Sequence, residues 1–152
     1  MKFLAALLAA ASLTTASYIN GNTNLEPCKH ASETNLLTLH SANVSPYPLV
    51  ETDPYKLRLN GTAAMPLTST TYIEISVKHH IRKSIERFNV CAAIEERGGQ
   101  CPTRDFDLEV GGYFPDFMSG GHKGVTVRVK DERDEWDWAC WRGKWEAEKW
   151  EW

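Results

Sequence analysis

Four segments of this chain alternate apolar and polar residues with a period of two. They are residues 56–60, 73–78, 105–110 and 125–130, in which Leu, Ile, Phe or Val occupies every second position. Such alternation is typical of a β-strand with one buried and one solvated face. Proline residues and paired glycines separate the segments, and no long helical pattern lies between them. The sequence therefore predicts an all-β sandwich or barrel.

The stretch 79–88 fits two kinds of secondary structure. Ile81, Ile85 and Phe88 recur at helical spacing. In a strand, one face would instead carry His79, Ile81, Lys83 and Ile85. Periodicity alone leaves both interpretations open.

A secretory signal peptide is predicted at residues 1–16. Lys2 supplies a positive start, residues 3–13 are apolar, and residues 14–16 are small. The apolar run is too short to span a bilayer, which needs about 20 residues. We therefore expect a protein that is secreted or delivered to the vacuolar or lysosomal lumen. Residues 17–27 are polar and are expected to form a flexible leader or a short propeptide.

Composition and motifs argue against several classes of function. The chain has 152 residues, which suits one domain, and a net charge of −3. It has no basic excess to neutralise phosphates, so a nucleic-acid partner is not expected. Sequence motifs of hydrolases, zinc proteases and phosphate-binding loops are absent. We expect a protein that is not an enzyme, with no catalytic residues, no cofactor and no metal site.

Four cysteines, Cys28, Cys91, Cys101 and Cys140, are expected to form disulfides, because the secretory route is oxidising. Their spacing lacks the close pairs that a zinc site needs. Four cysteines allow three pairings, and the residues do not choose among them.

Two N-glycosylation acceptors are present, at Asn43 and Asn60. Asn60 falls on the polar side of its predicted strand, where a glycan could extend into water. Asn43 is the weaker acceptor, because Pro46 directly follows the serine of its motif.

Several motifs, in their order along the chain, resemble the ML lipid-recognition family, and most closely its fungal phosphatidylglycerol/phosphatidylinositol transfer proteins. The most specific are the Ser-Pro-Tyr-Pro turn at 45–48, the Cys91…Cys101-Pro102 hairpin and Cys140-Trp141. The longer matching segments are LLTLHSANVSPYPL (36–49), KLRLNGTA (56–63), TTYIEISVKHHI (70–81), FNVCAAI (88–94), QCPTRDFDLEV (100–110) and GVTVRVKDERDE (124–135). The similarity covers residues 28–145, the predicted ML lipid-binding domain. The Trp-rich tail at 146–152 does not match the family pattern.

The resemblance implies an immunoglobulin-like β-sandwich of two antiparallel sheets, with an apolar cavity between them that holds a lipid. It also implies that Cys28 pairs with Cys140 and Cys91 with Cys101, and that 81–88 is a strand.

The alternating apolar residues are interpreted as the lining of this cavity, although the same pattern also fits an ordinary core. Aromatic residues in or beside loops are placed at the cavity mouth, where they either rest on a membrane interface or plug the end of the sandwich. The lining residues are Leu57, Leu59, Ile73, Ile75, Val77, Phe106, Leu108, Val110, Val125, Val127 and Val129, and the mouth residues are Phe88, Tyr113, Phe114 and Phe117.

Basic residues cluster in one place in this acidic chain. The cluster either contacts an anionic headgroup or membrane surface, or is a solvated strand face. Protonation of its two histidines would strengthen the first role in an acidic lumen. The cluster comprises Lys78, His79, His80, Arg82, Lys83 and Arg87.

We expect a secreted monomer that binds a phospholipid or sterol, contacts membranes transiently and carries the lipid between them. One alternative is a carbohydrate-binding or host-interaction protein that uses the C-terminal tryptophans. Another keeps the lipid without transfer, as a sensor or as a presenter to a receptor.

Overall fold

The computed structural model of the chain describes residues 19–29, 35–50, 53–113 and 121–148. The predicted signal peptide, Phe114, Phe117 and residues 149–152 lie outside these ranges. Within them the chain forms eight strands and one short helix: β1 (Glu26–Pro27), β2 (Leu37–Ser45), β3 (Pro54–Leu67), β4 (Thr71–His79), β5 (Arg82–Asn89), α1 (Val90–Glu96), β6 (Thr103–Tyr113), β7 (Gly121–Asp131) and β8 (Ala139–Ala147).

The strands form two sheets. The larger has the order β1-β8-β7-β4-β5, and the smaller has the order β2-β3-β6. All neighbouring strands within each sheet are antiparallel. The predicted sandwich of two antiparallel sheets is therefore confirmed.

The alternating residues pack between the sheets, as their period of two predicts. Each of the eleven residues predicted to line a cavity is at most 4% exposed. Their polar neighbours face outward, where, for example, Arg58 donates two hydrogen bonds to Asp107 at 3.0 and 2.9 Å. The alternation thus fixes which face of each strand is buried.

The ambiguous stretch 79–88 is a strand over most of its length. β5 pairs with β4 from Arg82 to Asn89, and the turn between the two strands contains His80 and Ile81. His80 has a φ of 53°, a left-handed conformation in which histidine is more common than most residues. The interpretation as a strand is confirmed, with Ile81 placed at the hairpin tip.

The helix α1 follows β5 directly and covers one end of the sandwich. The Asn89 side chain accepts a hydrogen bond from the amide of Ala92 at 2.9 Å, which caps the first turn. Four of its residues are buried. A disulfide between Cys91 and Cys101 joins this helix to the segment that leads into β6.

Both disulfides follow the pairing that the family resemblance implied. Cys28 bonds Cys140, with the two Cα atoms 5.5 Å apart, and Cys91 bonds Cys101. The first holds the segment after β1 beside β8 and closes a separation of 112 residues. In the chain-entropy account, constraining a loop of that length contributes about 5 kcal/mol.

Residues 19–27 differ from the predicted flexible leader. Asn22 exchanges two hydrogen bonds with the backbone of Val44, at 2.7 and 2.8 Å. Thr23 donates to the Ala42 carbonyl, and Leu25 is buried in the core. The expectation is wrong here because short polar side chains, which resemble those of a disordered segment, satisfy backbone groups along β2. Residues 17 and 18 lie outside the described ranges.

The C-terminal boundary also extends beyond the predicted domain end at residue 145. Glu146 and Ala147 pair with His122 and Gly121 in the last rungs of the β7–β8 ladder. The first two residues of the predicted tail are therefore part of the larger sheet.

Asp131 is a buried carboxylate at the end of β7, in a run of charged residues. Thr70 and Thr71 donate their hydroxyls to it at 3.0 and 3.2 Å. The guanidinium of Arg133 donates at 2.7 and 2.9 Å, and its amide adds a further bond. These bonds, above all those from the Arg133 side chain, hold the pKa of Asp131 well below its usual range.

Replacing Asp131 with alanine is expected to lower the free energy of unfolding by about 2–4 kcal/mol, because several donors lose their acceptor. Its depressed pKa makes this stabilisation complete above about pH 4 and lost progressively as the pH falls further. Urea unfolding of wild type and variant across this range measures both effects.

The exposed Asp105 provides the matched control, since its replacement by alanine should change stability by less than about 0.5 kcal/mol. A stability gap between wild type and the Asp131 variant that stayed constant as the pH fell would contradict the account.

Candidate functional site

A small apolar cavity lies between the two sheets, at the end covered by α1. Its volume is about 10 Å³, about the least that holds one water molecule. All of its lining side chains are apolar: Leu37, Leu39, Leu59, Leu67, Ile73, Val90, Phe106, Leu108, Val129 and Trp141. The packed sheets thus leave an apolar space, but far less than the several hundred Å³ of a typical ligand pocket.

The sequence identified half of this lining. Leu59, Ile73, Phe106, Leu108 and Val129 were predicted and do line the cavity. The other predicted lining residues are buried in the same core but belong to its closed part: Leu57, Ile75, Val77, Val110, Val125 and Val127.

The residues that the sequence analysis missed lie mainly in β2 and at element ends. Leu37 and Leu39 alternate as a strand should, but the register of β2 shifts between Leu39 and Ser41. This irregularity interrupts the alternation of apolar and polar residues before Ala42 and Val44. The sequence pattern of this segment therefore predicts a strand less clearly. Nothing in the sequence beyond their apolar character marks the other three as cavity residues: Leu67, Val90 and Trp141.

The two predicted mouth residues that the structure describes differ in burial. Phe88 is half-buried and packs against the core from β5, whereas Tyr113 is 68% exposed at the end of β6. Phe114 and Phe117 are outside the described residues.

A hydrogen-bonded tie joins the two sheets near their edge strands β5 and β6. Glu86 of β5 accepts a 2.9 Å hydrogen bond from the hydroxyl of Tyr55, which belongs to β3 in the opposite sheet. Its second oxygen accepts from the Tyr113 amide at 3.4 Å. Burial, followed by the charge of Glu86 and its hydrogen bond, raises the pKa of the Tyr55 phenol. Tyr55 therefore remains a neutral donor to the carboxylate.

Gly112 of β6 makes room for this tie. A Cβ atom at residue 112 would overlap the Glu86 carboxylate, so a larger residue would force Glu86 away from Tyr55. The absence of a side chain at residue 112 thus allows the close approach of Glu86.

The β4–β5 hairpin forms a protruding tip that is both apolar and basic. Ile81 is 96% exposed at the tip, and Ile85 is 50% exposed on the outer face of β5. Lys78 and Lys83 are paired in the hairpin register and are both exposed. The hairpin thus presents an apolar side chain beside cationic ones.

The outer face of the larger sheet carries an open groove next to this hairpin. Its volume is about 610 Å³. Cationic Lys78, Arg142 and Lys144 line it, together with one carboxylate, Glu26, and the backbone of two glycines. A groove of this charge suits anionic groups at a surface.

Two members of the predicted basic cluster are already engaged within the sheet. Arg87 pairs with Glu74 at 3.1 Å and lies over the ring of Tyr72. His79 contacts Lys123 at 3.0 Å between its Nδ1 and the lysine Nζ. Desolvation, and then the charges of Lys123 and His80, lower the pKa of His79. His79 therefore gains its positive charge only at a lower pH than an ordinary histidine.

The two predicted glycosylation acceptors are both on outer faces. Asn43 is exposed in β2, and Asn60 is half-buried in β3.

Within the described ranges, no three His, Cys, Asp or Glu side chains come together to form a metal site. In the same ranges, no helix has the length and apolar character to cross a bilayer.

Comparison with known proteins supports this description. The sequence matches the family model of the ML domain over residues 22–147. A search of curated proteins finds no significant match. The fold is similar to a Niemann-Pick type C2 protein from the Japanese carpenter ant, with a TM-score of 0.55 and 12% identity, over 82% of this chain and 98% of that one.

A second similar structure is the C-terminal domain of wzt, with a TM-score of 0.51 and 9% identity, over 85% of this chain and 80% of that one. At such identities both structures support the fold alone. The sequence match, by contrast, covers most of the chain and includes both disulfides and the cavity. The protein therefore belongs to the ML domain family.

Proposed function

We propose that the protein is a secreted carrier that takes up a phospholipid, such as phosphatidylglycerol or phosphatidylinositol, or a sterol, and moves it between membranes without catalysis. Membership of the ML family supports lipid or sterol binding in general. The observation that carries the proposal is the wholly apolar cavity between the two sheets. The two disulfides are consistent with an oxidising compartment, outside the cell or in a lysosomal lumen.

The energetics suit a carrier. Removing about 30 methylenes from water is worth about 24 kcal/mol. A tail that leaves a membrane for an apolar cavity moves between two similar media, so the net change is small. Uptake and release can then proceed in either direction without an energy source.

Native mass spectrometry of the secreted protein, followed by organic extraction, tests the proposal directly. The expected result is a stoichiometric excess mass that extracts as a phospholipid or a sterol. A bare mass that persists after incubation with mixed liposomes would overturn it.

The carbohydrate-binding alternative can be tested by a C-terminal truncation that leaves the core intact. Trp145 is fully buried, so a stop after Gly143 would remove part of the core. A stop after Glu148 removes Trp150 and Trp152 and leaves β8 whole. A carrier should retain its lipid after this truncation, whereas a protein that binds glycans through these tryptophans should lose them.

The cavity must enlarge to accept a lipid tail, and we expect the β5–β6 edge to open. Tyr55→Phe removes the hydroxyl that ties this edge through Glu86. The loss of about 1 kcal/mol should accelerate lipid exchange with vesicles about fivefold. Stopped-flow transfer of a fluorescent phospholipid measures this rate.

Tyr72→Phe is the matched control, because Tyr72 lies on β4 beneath Arg87 on the outer face. Its exchange rate should equal that of wild type. Equal rates for the Tyr55 variant and wild type would show that the tie does not limit uptake.

The β4–β5 hairpin is the proposed membrane contact. Ile81→Ser should weaken binding to vesicles that contain phosphatidylglycerol about tenfold, because the exposed isoleucine no longer enters the interface. Added salt should weaken wild-type binding as well, since Lys78 and Lys83 attract anionic lipids. Vesicle co-sedimentation measures both effects.

Met65→Ser is the control for this surface, since Met65 is 42% exposed on β3 in the other sheet. If both variants lose the same affinity, the hairpin has no special part in docking.

A further inference from the structure

Two lysines flank a glycine in one cross-strand row on the outer face of the larger sheet. Gly124 of β7 pairs with Lys78 of β4 on one side and with Lys144 of β8 on the other. Both lysines are exposed, and no ion pair joins either of them to another described residue. Neighbouring strands lie about 4.8 Å apart, so the Cα atoms of the two lysines are about 10 Å apart. Their long side chains can therefore converge on one group above the glycine. We call Lys78, Gly124 and Lys144 the lysine row.

The missing side chain of Gly124 leaves open space between the two lysines. A Cβ atom at this residue would meet the Lys78 carbonyl oxygen at 3.8 Å, an ordinary van der Waals contact, and no other described atom beyond its chain neighbours within 4 Å. A Cβ atom at Gly143, the other glycine of the groove, would meet the backbone oxygen of Asn24 at 2.9 Å. Gly143 is thus packed against the chain itself, whereas Gly124 leaves room for a group from outside.

The next row of the groove adds a guanidinium and a carboxylate. Arg142 of β8 lies between Thr126 of β7 and Glu26 of β1 in the strand register. Its guanidinium is 3.5 Å from the Glu26 carboxylate, and both side chains are well exposed. The groove thus carries three cations and one carboxylate in a chain whose net charge is −3. Glu146 pairs with His122 in the row beyond and does not line the groove. The groove is therefore a local cationic site that attracts anions.

The groups that line the groove suit a phosphate. Each lysine ammonium carries three N–H donors and no acceptor, and the Thr126 hydroxyl can donate as well. A phosphate presents several anionic oxygens, so it can accept from two ammonium groups and a guanidinium at once. The groove volume of about 610 Å³ admits such a group together with the polar part of a lipid headgroup.

The place of the lysine row relative to the hairpin tip favours a membrane as the source of this phosphate. Ile81 follows Lys78 by three residues and lies in the turn, about 7–10 Å beyond the row. The headgroup layer of one leaflet is about 5–8 Å thick, since a bilayer measures about 40–45 Å around a hydrocarbon core of about 30 Å. When Ile81 reaches the edge of the core, the lysine row is level with the headgroups. An acidic protein partner would not need an apolar tip at this distance.

We propose that the lysine row, together with Arg142, binds the phosphate of an anionic membrane lipid that stays in its bilayer while the cargo lipid is exchanged. This inference rests on the proposed carrier function and adds a second lipid site, on the outer face of the larger sheet. The cavity between the sheets takes apolar tails, whereas the groove contacts a headgroup alone. The composition of the membrane then selects where the carrier docks, whatever lipid the cavity holds.

Co-sedimentation of the full chain with vesicles tests the groove. Wild type should bind vesicles of equal parts phosphatidylglycerol and phosphatidylcholine about tenfold or more tightly than vesicles of phosphatidylcholine alone. Gly124→Val fills the space above the row without a change of charge and should weaken binding to the anionic vesicles about fivefold. Added apolar surface by itself favours a bilayer, so this loss reports the filled groove. Lys144→Gln should cause a loss of similar size.

Thr38→Val and Lys56→Gln are the matched controls, since both residues are exposed on the outer face of the smaller sheet. The first adds the same valine away from the groove, and the second removes one lysine charge away from it. Both variants should bind anionic vesicles as wild type does. If Gly124→Val fails to fold, the comparison of Lys144→Gln with Lys56→Gln decides alone, and equal affinities overturn the site.

The outcomes separate the groove from the carrier function. If Gly124→Val binds anionic vesicles as tightly as wild type, or if wild type does not distinguish the two kinds of vesicle, the groove site is overturned, even where native mass spectrometry shows a bound cargo lipid. Binding of an oligoglutamate peptide that Gly124→Val abolishes, without such an effect on vesicles, assigns the groove to an acidic protein and also overturns the proposal. Gly124-dependent binding to anionic vesicles by a protein that holds no cargo lipid supports the groove and overturns the carrier function.

Discussion

The contact between the apolar faces of the two sheets is the interaction on which this fold depends. Leu57 and Leu59 of β3 face a layer formed by β4, β7 and β8, and these residues are almost completely buried. The faces fit so closely that about 10 Å³ remains between them near α1. In the proposed carrier, a lipid tail would therefore compete with sheet–sheet packing for the same side chains. Since both contacts are apolar, the exchange costs little in transfer energy, and the work of uptake lies in moving the sheets apart.

The two long edges of the sandwich resist such movement unequally. On one edge β8 is held to neighbouring segments by the Cys28–Cys140 disulfide and by a hydrogen bond that the Cys140 amide donates to the Asn35 side-chain oxygen. On the other edge α1 closes one end and is itself fastened by a disulfide. The rest of this edge is held to the opposite sheet by the hydrogen bonds that Glu86 accepts. Hydrogen bonds break and reform thermally, whereas a disulfide does not open without a reductant, so the opening that we propose is expected in this stretch.

Much of this arrangement could be predicted from the sequence, because a period of two assigns each residue to a face. The buried position of Lys123 follows from the same rule, since it is in phase with Val125, Val127 and Val129. A lysine in that phase also fits the solvated end of a strand, so the pattern alone does not predict its burial. Trp145 is likewise in phase with Trp141 of β8.

Other features could not be predicted because they depend on contacts distant in sequence. The polar residues 19–27 are ordered by the backbone of β2, and Asp131 is buried by hydroxyls from the start of β4 and by Arg133. In both cases the side chains are of types that usually face water. Their burial is decided by the number of hydrogen bonds available at the site, which local pattern does not record.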